Sequence, residues 1–112
     1  LNKIIDQLNS ICSAGKERML VYDFGSEMIQ KVAIVSGGAA SHFDSAIASG
    51  VDLFITGEGE EWAREMARES GVNFIAAGHY ATETFGVKAL MEVVKKEFPG
   101  VDCAFVDLPN DF

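Results

Sequence analysis

Cations are scarce in this sequence: nine Lys and Arg stand against 17 Asp and Glu in 112 residues, a formal net charge of −8. That shortage argues against binding a nucleic-acid backbone, because neutralising phosphates takes a basic surface. Acidity is compatible with cation binding, although it commonly serves only solubility. Long apolar runs are missing too. None approaches the roughly 20 residues that cross a bilayer, and the first residues lack the pattern of a secretory signal. No membrane or nucleic-acid partner is expected. Cysteine is limited to Cys12 and Cys103, which form no close motif, so a reduced, cytoplasmic protein is the expectation. Several catalytic signatures are absent. There is no Cys/His pair for nucleophilic catalysis, no G-x-S-x-G elbow, no Walker loop and no G-x-G-x-x-G fingerprint. Linkers, low-complexity tracts and tandem repeats are likewise missing. Leu1 is not an initiator Met, so the expectation is a processed chain or a piece of something longer.

What is present is apolar enough to fold: 48% of residues are hydrophobic, and a chain of this size buries roughly two-thirds of its unfolded surface. Leu1, Ile4, Ile5, Leu8, Ile11 and Cys12 recur at helical spacing, which predicts an amphipathic helix stopped near Gly15. Met19 to Phe24 reads as a strand. Lys31 to Ser36 is a β-branched apolar run, typical of a strand buried on both faces. Ala39, Ala40, Phe43, Ala46 and Ile47 then mark a helix closed by Gly50, and Val51 to Thr56 the next strand. A helix burying Trp62, Ala63, Met66 and Ala67 follows, its charged face solvated, ending at Gly71. Val72 to Ala77 is a strand. The helix after it has Phe85, Ala89, Leu90, Val93 and Val94 as its inner face and stops at Pro99-Gly100. Val101 to Leu108 reads as a final strand, and Pro109 to Phe112 as a tail. Strands alternating with helices predict one α/β domain over residues 1–112 with a largely parallel sheet.

Three strand exits share one feature: Ser36-Gly37-Gly38, Thr56-Gly57-Glu58 and Gly78-His79-Tyr80. In a parallel sheet these ends line one edge, where ligands bind, so Gly37, Gly57 and Gly78 are expected together. His79 and Glu83 are four apart. If the helix has begun, they share a face and can hold a divalent cation between them. The spacing equally fits a loop histidine and a first-turn acid favoured by the helix dipole. Glu58 either converges on the pair or is itself an acid at a helix start. Gly37-Gly38 offers backbone amides to an anion or is a plain turn. His42 reads as a half-exposed structural histidine.

Ser36-Gly37-Gly38 with Ser41 and Ala46, Gly50-Val51-Asp52-Leu53-Phe54-Ile55-Thr56-Gly57-Glu58, Ala77-Gly78-His79-Tyr80-Ala81-Thr82-Glu83 and Phe105-Val106-Asp107-Leu108-Pro109-Asn110, in this order and at these intervals, together resemble the C-terminal half of the Nif-three-like family. Its members are often labelled GTP cyclohydrolase I type 2 homologues. The resemblance runs from about Ile29 to the end and is weaker, though in register, over the first helix and strand. It implies a dinuclear site for divalent metal cations (zinc, manganese, iron, cobalt or nickel, two per complete site) with His79 and Glu83 as ligands. It puts Glu58 beside that site, as a catalytic or pocket residue that orients a water, and gives His42 no role. Where the family often carries another histidine after Thr-Gly-Glu, this chain reads Gly59-Glu60-Glu61-Trp62.

The family's N-terminal half, with a His-His-Pro strand end and a later Asp that complete the two-metal site, has no counterpart here. The chain is therefore expected to be the C-terminal portion of a longer, two-half protein. Its partners would be its own N-terminal half or other subunits of a homo-oligomer, a hexamer in the full-length family, with the small-molecule substrate unknown. The expected function is half of a dinuclear site in a metal-dependent hydrolase of nucleotides or phosphate esters. The alternative is a non-catalytic metal-binding or regulatory assembly protein.

Overall fold

The computed structural model describes residues 1–12 and 19–108. Its elements alternate as the sequence predicts: α1 (Asn2–Ile11), β1 (Leu20–Tyr22), β2 (Val32–Ile34), a 3-10 turn (Ala40–His42) running into α2 (Phe43–Ala48), β3 (Leu53–Thr56), α3 (Glu61–Ser70), β4 (Asn73–Ala76) and α4 (His79–Glu97). The sheet order is β1-β4-β3-β2. β2, β3 and β4 are parallel and in register, Ala33 beside Phe54 beside Phe74, while β1 runs antiparallel to β4. The fold is α/β with a mostly parallel sheet.

Every residue of β3 and β4 is buried, as expected for central strands covered on both faces, whereas β2, expected to be buried on both faces, is an edge strand with Val32 and Ile34 exposed. Because side chains alternate along a strand, the two faces carry different cores. Phe54 and Phe74 meet Phe43 of α2 on one face, with ring centroids 5.0–5.8 Å apart. Leu53, Ile55 and Ile75 on the other are covered by Leu1 and by Ile4, Ile5 and Leu8 of α1. α3 buries Ala63 and Ala67 completely, and Gly71 closes it in the left-handed region. Asn73, fully buried, accepts the Gly25 N–H through Oδ1 at 2.9 Å and donates through Nδ2 to the carbonyls of Ser26 (2.8 Å) and Asp52 (3.1 Å). It thereby ties the start of β4 to the loop after β1.

Several expectations need correction. Trp62 is not buried. It is 42% exposed and lines a shallow groove with Ile47 and Met66, because the small Ala63 and Ala67 hold α3 to the sheet. The inner face expected for α4 is also largely exposed. Phe85, Leu90 and Val93 are 42%, 63% and 56% exposed, and only Ala81 and Thr84 are buried, because α4 leaves the sheet after its first turns. Periodicity marks an apolar stripe but cannot say what covers it. Val101 to Leu108 pairs with no strand. It runs back along α4, with Lys88 Nζ 4.5 Å from the Phe105 ring centroid, Tyr80 Oη donating to Asp107, and the Leu108 N–H donating to Tyr80 Oη at 2.9 Å. Ile11 is half exposed. The stop expected at Gly15 and the tail from Pro109 lie outside the described residues. Among the described residues, no helix is long and apolar enough to cross a membrane.

Phe74 is fully buried between two rings and a third on β1. Truncation to alanine loses transfer energy and leaves a cavity, so Phe74→Ala should lower unfolding stability by about 3–5 kcal/mol. Urea denaturation of the two proteins measures this, and a loss below about 1 kcal/mol would contradict the packing described.

Candidate functional site

Strand pairing continues beyond the ladder into the exits. The Gly57 N–H donates to Gly37 O, and the Gly78 N–H to Gly57 O, both at 2.9 Å. Gly37, Gly57 and Gly78 therefore line one edge of the sheet, as the sequence predicts. The contact is too close for side chains. A Cβ on Gly57 would stand 2.8 Å from Gly37 O, from His79 Cα and from Thr82 Oγ1. Gly37 (φ +69°) and Gly78 (φ +95°) take backbone angles that other residues rarely adopt. The Gly37 carbonyl also accepts the Thr56 hydroxyl at 3.0 Å and the Glu58 N–H at 3.2 Å.

Gly78 turns the chain out of β4 straight into α4, so His79 is the first helical residue. Glu83, one turn on, has Oε1 3.3 Å from His79 Nε2. Glu58, at the exit of β3, has Oε1 2.7 Å from His79 Nδ1. A carboxylate only accepts, so Nδ1 carries the hydrogen of that bond. In the neutral ring this leaves the Nε2 lone pair free on the side of Glu83. The bond from Glu58 raises the His79 pKa above its ordinary 6.5, with the nearby charges of Glu83 and Glu58 adding to it against partial desolvation. The three side chains are partly exposed, at 35%, 40% and 55% for His79, Glu58 and Glu83. His79 opens a 19-residue helix, and its bond to Glu58 holds that carboxylate near the helix start, where the dipole favours negative charge.

A backbone wall bounds the pair. A Cβ on Gly37 would lie 2.5 Å from Glu83 Oε1 and 3.1 Å from His79 Nε2. One on Gly38 would lie 3.1 Å from Glu58 Oε2. The two glycines leave open a small space faced by one imidazole nitrogen and one carboxylate oxygen. Among the described residues, no group of three or more His, Cys, Asp and Glu is arranged to hold a metal ion. Among the described residues, the space is faced by this one nitrogen–oxygen pair, not by a full ligand set.

The structure thus brings Glu58, His79 and Glu83 together and leaves His42 apart, exposed in the 3-10 turn. Glu58 meets His79 itself. Sequence reasoning missed Thr82. Its hydroxyl accepts the Gly37 N–H at 3.1 Å. Its place in a helix's first turn, between His79 and Glu83, was the available signal.

A family model described as Duf34/NIF3 (NGG1p interacting factor 3) matches residues 1–111. The chain is 46% identical over 92 residues to a protein of Archaeoglobus fulgidus named GTP cyclohydrolase 1 type 2 homolog, covering 82% of this chain and 37% of the relative. It is 47% identical over 96 residues to the protein of that name from Pseudomonas aeruginosa, covering 86% and 37%. Among solved structures, protein ybgI, of unknown function, is similar with a TM-score of 0.86 and 40% identity, over 99% of this chain and 44% of that one. TTHA1606 from Thermus thermophilus gives 0.83 and 34%, over 100% and 43%. The chain thus spans about 37% of the length of these two curated relatives. With a family match that runs almost end to end and neighbours that share the whole of this fold, the chain belongs to the Duf34/NIF3 family.

Proposed function

We propose that this chain supplies His79 and Glu83 as two ligands of a divalent-metal site in a metal-dependent hydrolase of nucleotides or phosphate esters. The observation that carries the reading is the 3.3 Å separation of His79 Nε2 and Glu83 Oε1, with Nδ1 of the same ring held by Glu58. Two donors each about 2.0–2.2 Å from one tetrahedral ion stand roughly 3.3–3.6 Å apart. The observed separation is in that range, and Gly37 and Gly38 put no side chain of their own into the space. A histidine ligand whose second nitrogen donates to a carboxylate is the usual arrangement at metal centres, where it fixes the tautomer and raises the basicity of the ligating nitrogen.

A bound divalent ion lowers the pKa of a coordinated water and stabilises charge developing on a phosphoryl or carbonyl oxygen. The chain's own residues prepare for that. Glu58 orients the imidazole and keeps the hydrogen on Nδ1. Nε2 and the Glu83 carboxylate face the same space. In this reading Glu58 acts through His79 as a positioning residue. The remaining ligands come from the family's N-terminal half or from other subunits of a homo-oligomer, consistent with relatives of which this chain covers 37%. The name those relatives carry supports a nucleotide as substrate class. Zinc, manganese, iron, cobalt and nickel all suit an imidazole with a carboxylate.

The test is Zn2+ affinity by direct titration. His79→Ala and Glu83→Ala should each weaken binding by at least the 10- to 100-fold typical of losing an outer-shell partner. Wild-type affinity in both variants would defeat the assignment. Metal lost with hydrolytic activity retained would instead mark the metal as structural or incidental to catalysis.

A second measurement probes Glu58 in metal-free protein. The His79 ring should titrate by NMR with a midpoint above 6.5, and Glu58→Gln should lower it, since the Glu58 bond is the largest cause of the rise. Because the folded pKa exceeds the unfolded one, the stability from this contact is fully present below pH 6.5. It is lost as the pH rises through the folded value. A midpoint unchanged by Glu58→Gln would show that the carboxylate does not hold the ring in solution.

A further inference from the structure

The wall beside the donor pair is backbone, so something must hold that backbone in place. Thr82 does so from α4. Its Oγ1 accepts the Gly37 N–H at 3.1 Å and lies 2.9 Å from Gly78 O and 3.1 Å from His79 O. A hydroxyl has one hydrogen and two acceptor lone pairs. One group can therefore take the Gly37 donor while giving its hydrogen back to the helix start. Thr56 holds the other side of Gly37, donating to its carbonyl from the end of β3 at 3.0 Å. Gly37 is thus clamped between two threonine hydroxyls. Its α-carbon is turned toward the donor pair, where an added Cβ would stand 2.5 Å from Glu83 Oε1 and 3.1 Å from His79 Nε2.

We propose that Thr82 is a positioning residue for the His79/Glu83 pair, holding the Gly37 backbone against the pair's open side so that the space between Nε2 and Oε1 keeps its size. The inference rests on the metal-ligand reading above. Thr82 touches neither donor atom of the pair and acts through Gly37. It lies between the two donors at the start of α4, so the bond fixes the exit of β2 to the helix segment that carries them. Valine keeps the branched shape but removes the hydroxyl. The Gly37 N–H then loses its acceptor and turns toward water, and the wall moves with it. Serine keeps the hydroxyl and the bond.

The experiment is a Zn2+ titration of the whole chain, followed by the NMR shifts of the His79 ring, for wild type, Thr82→Val, Thr82→Ser, Thr84→Val and His79→Ala, with each variant's melting temperature measured alongside. His79→Ala is followed through the amide of Glu83 instead. Among the described residues Thr84 bonds only within α4, to Ala81 O at 3.1 Å, so Thr84→Val controls for losing a hydroxyl in the same helix. Thr82→Val should weaken Zn2+ binding about tenfold or more, the effect expected of an outer-shell change. Thr82→Ser should restore most of the affinity, and Thr84→Val should bind like wild type. Wild-type affinity in Thr82→Val with binding lost in His79→Ala would overturn the positioning role and leave the ligand reading standing. Unchanged affinity in His79→Ala would overturn the ligand reading itself. If Thr82→Val does not fold, hydrogen exchange of the Gly37 amide in wild-type protein decides. Protection supports the bond, and exchange at the rate of an open loop overturns it.

Discussion

Three strand exits lie against one another with nothing but backbone between them, and the site depends on that contact. The bonds from the Gly57 N–H to Gly37 O and from the Gly78 N–H to Gly57 O extend the parallel ladder past its last side chains. A methyl group on Gly57 would collide with Gly37 O, His79 Cα and Thr82 Oγ1 together. Glycine is thus a steric requirement here, and at Gly37 and Gly78 a conformational one as well. With the exits this close, α4 starts at the edge of the sheet. Its first residue falls within hydrogen-bond reach of Glu58 on the neighbouring exit.

The core explains why this edge holds its shape. β3 and β4 are buried on both faces, by the Phe43–Phe54–Phe74 cluster on one side and by α1 over Leu53, Ile55 and Ile75 on the other. Sliding either strand by one residue would exchange its two sets of side chains, aromatic for aliphatic. Register is therefore strongly specified, and so is the height at which each exit emerges. Groups placed at the ends of such strands are held more precisely than groups on long loops.

How much of this could be read from the chain alone follows from the range of the forces involved. The βα alternation and the common edge of Gly37, Gly57 and Gly78 were legible, because apolar runs ending in glycine are local signals and parallel pairing puts like ends together. The His79 and Glu83 spacing was legible for the same reason: four residues on a helix is a fixed geometry. The bond from Glu58 to Nδ1 was visible only as convergence, since it spans 21 positions and depends on the order of strands. The tie from Thr82 to Gly37 spans 45 positions and needed the structure. The misreadings share one cause. Trp62, the stripe on α4 and the apolar residues of Val101 to Leu108 are local patterns, and local pattern shows that a surface is apolar without saying whether anything covers it.

Charge gives the last constraint. Two acidic side chains elsewhere on the helices have cations beside them: Glu65 lies between Arg64 and Arg68, and Glu92 accepts from Lys95 at 2.9 Å. Glu58 and Glu83 have instead a single imidazole, and among the described residues no lysine or arginine pairs with either. With the ring protonated, the three groups sum to one negative charge, and with it neutral to two. The start of α4 offsets part of this through its dipole, but a dipole end amounts to only about half an elementary charge. Two carboxylates on one histidine therefore leave an excess of negative charge within a few ångströms of a free imidazole lone pair. The hydrogen bond from the ring to Glu58 is the main cause of the raised His79 pKa, and the fall of this excess as the ring gains a proton adds to it. A divalent cation on Nε2 would meet the same field with twice the charge. The geometry that makes His79 a stronger base is thus also the geometry that suits it to the proposed metal, and proton and metal would compete for one nitrogen.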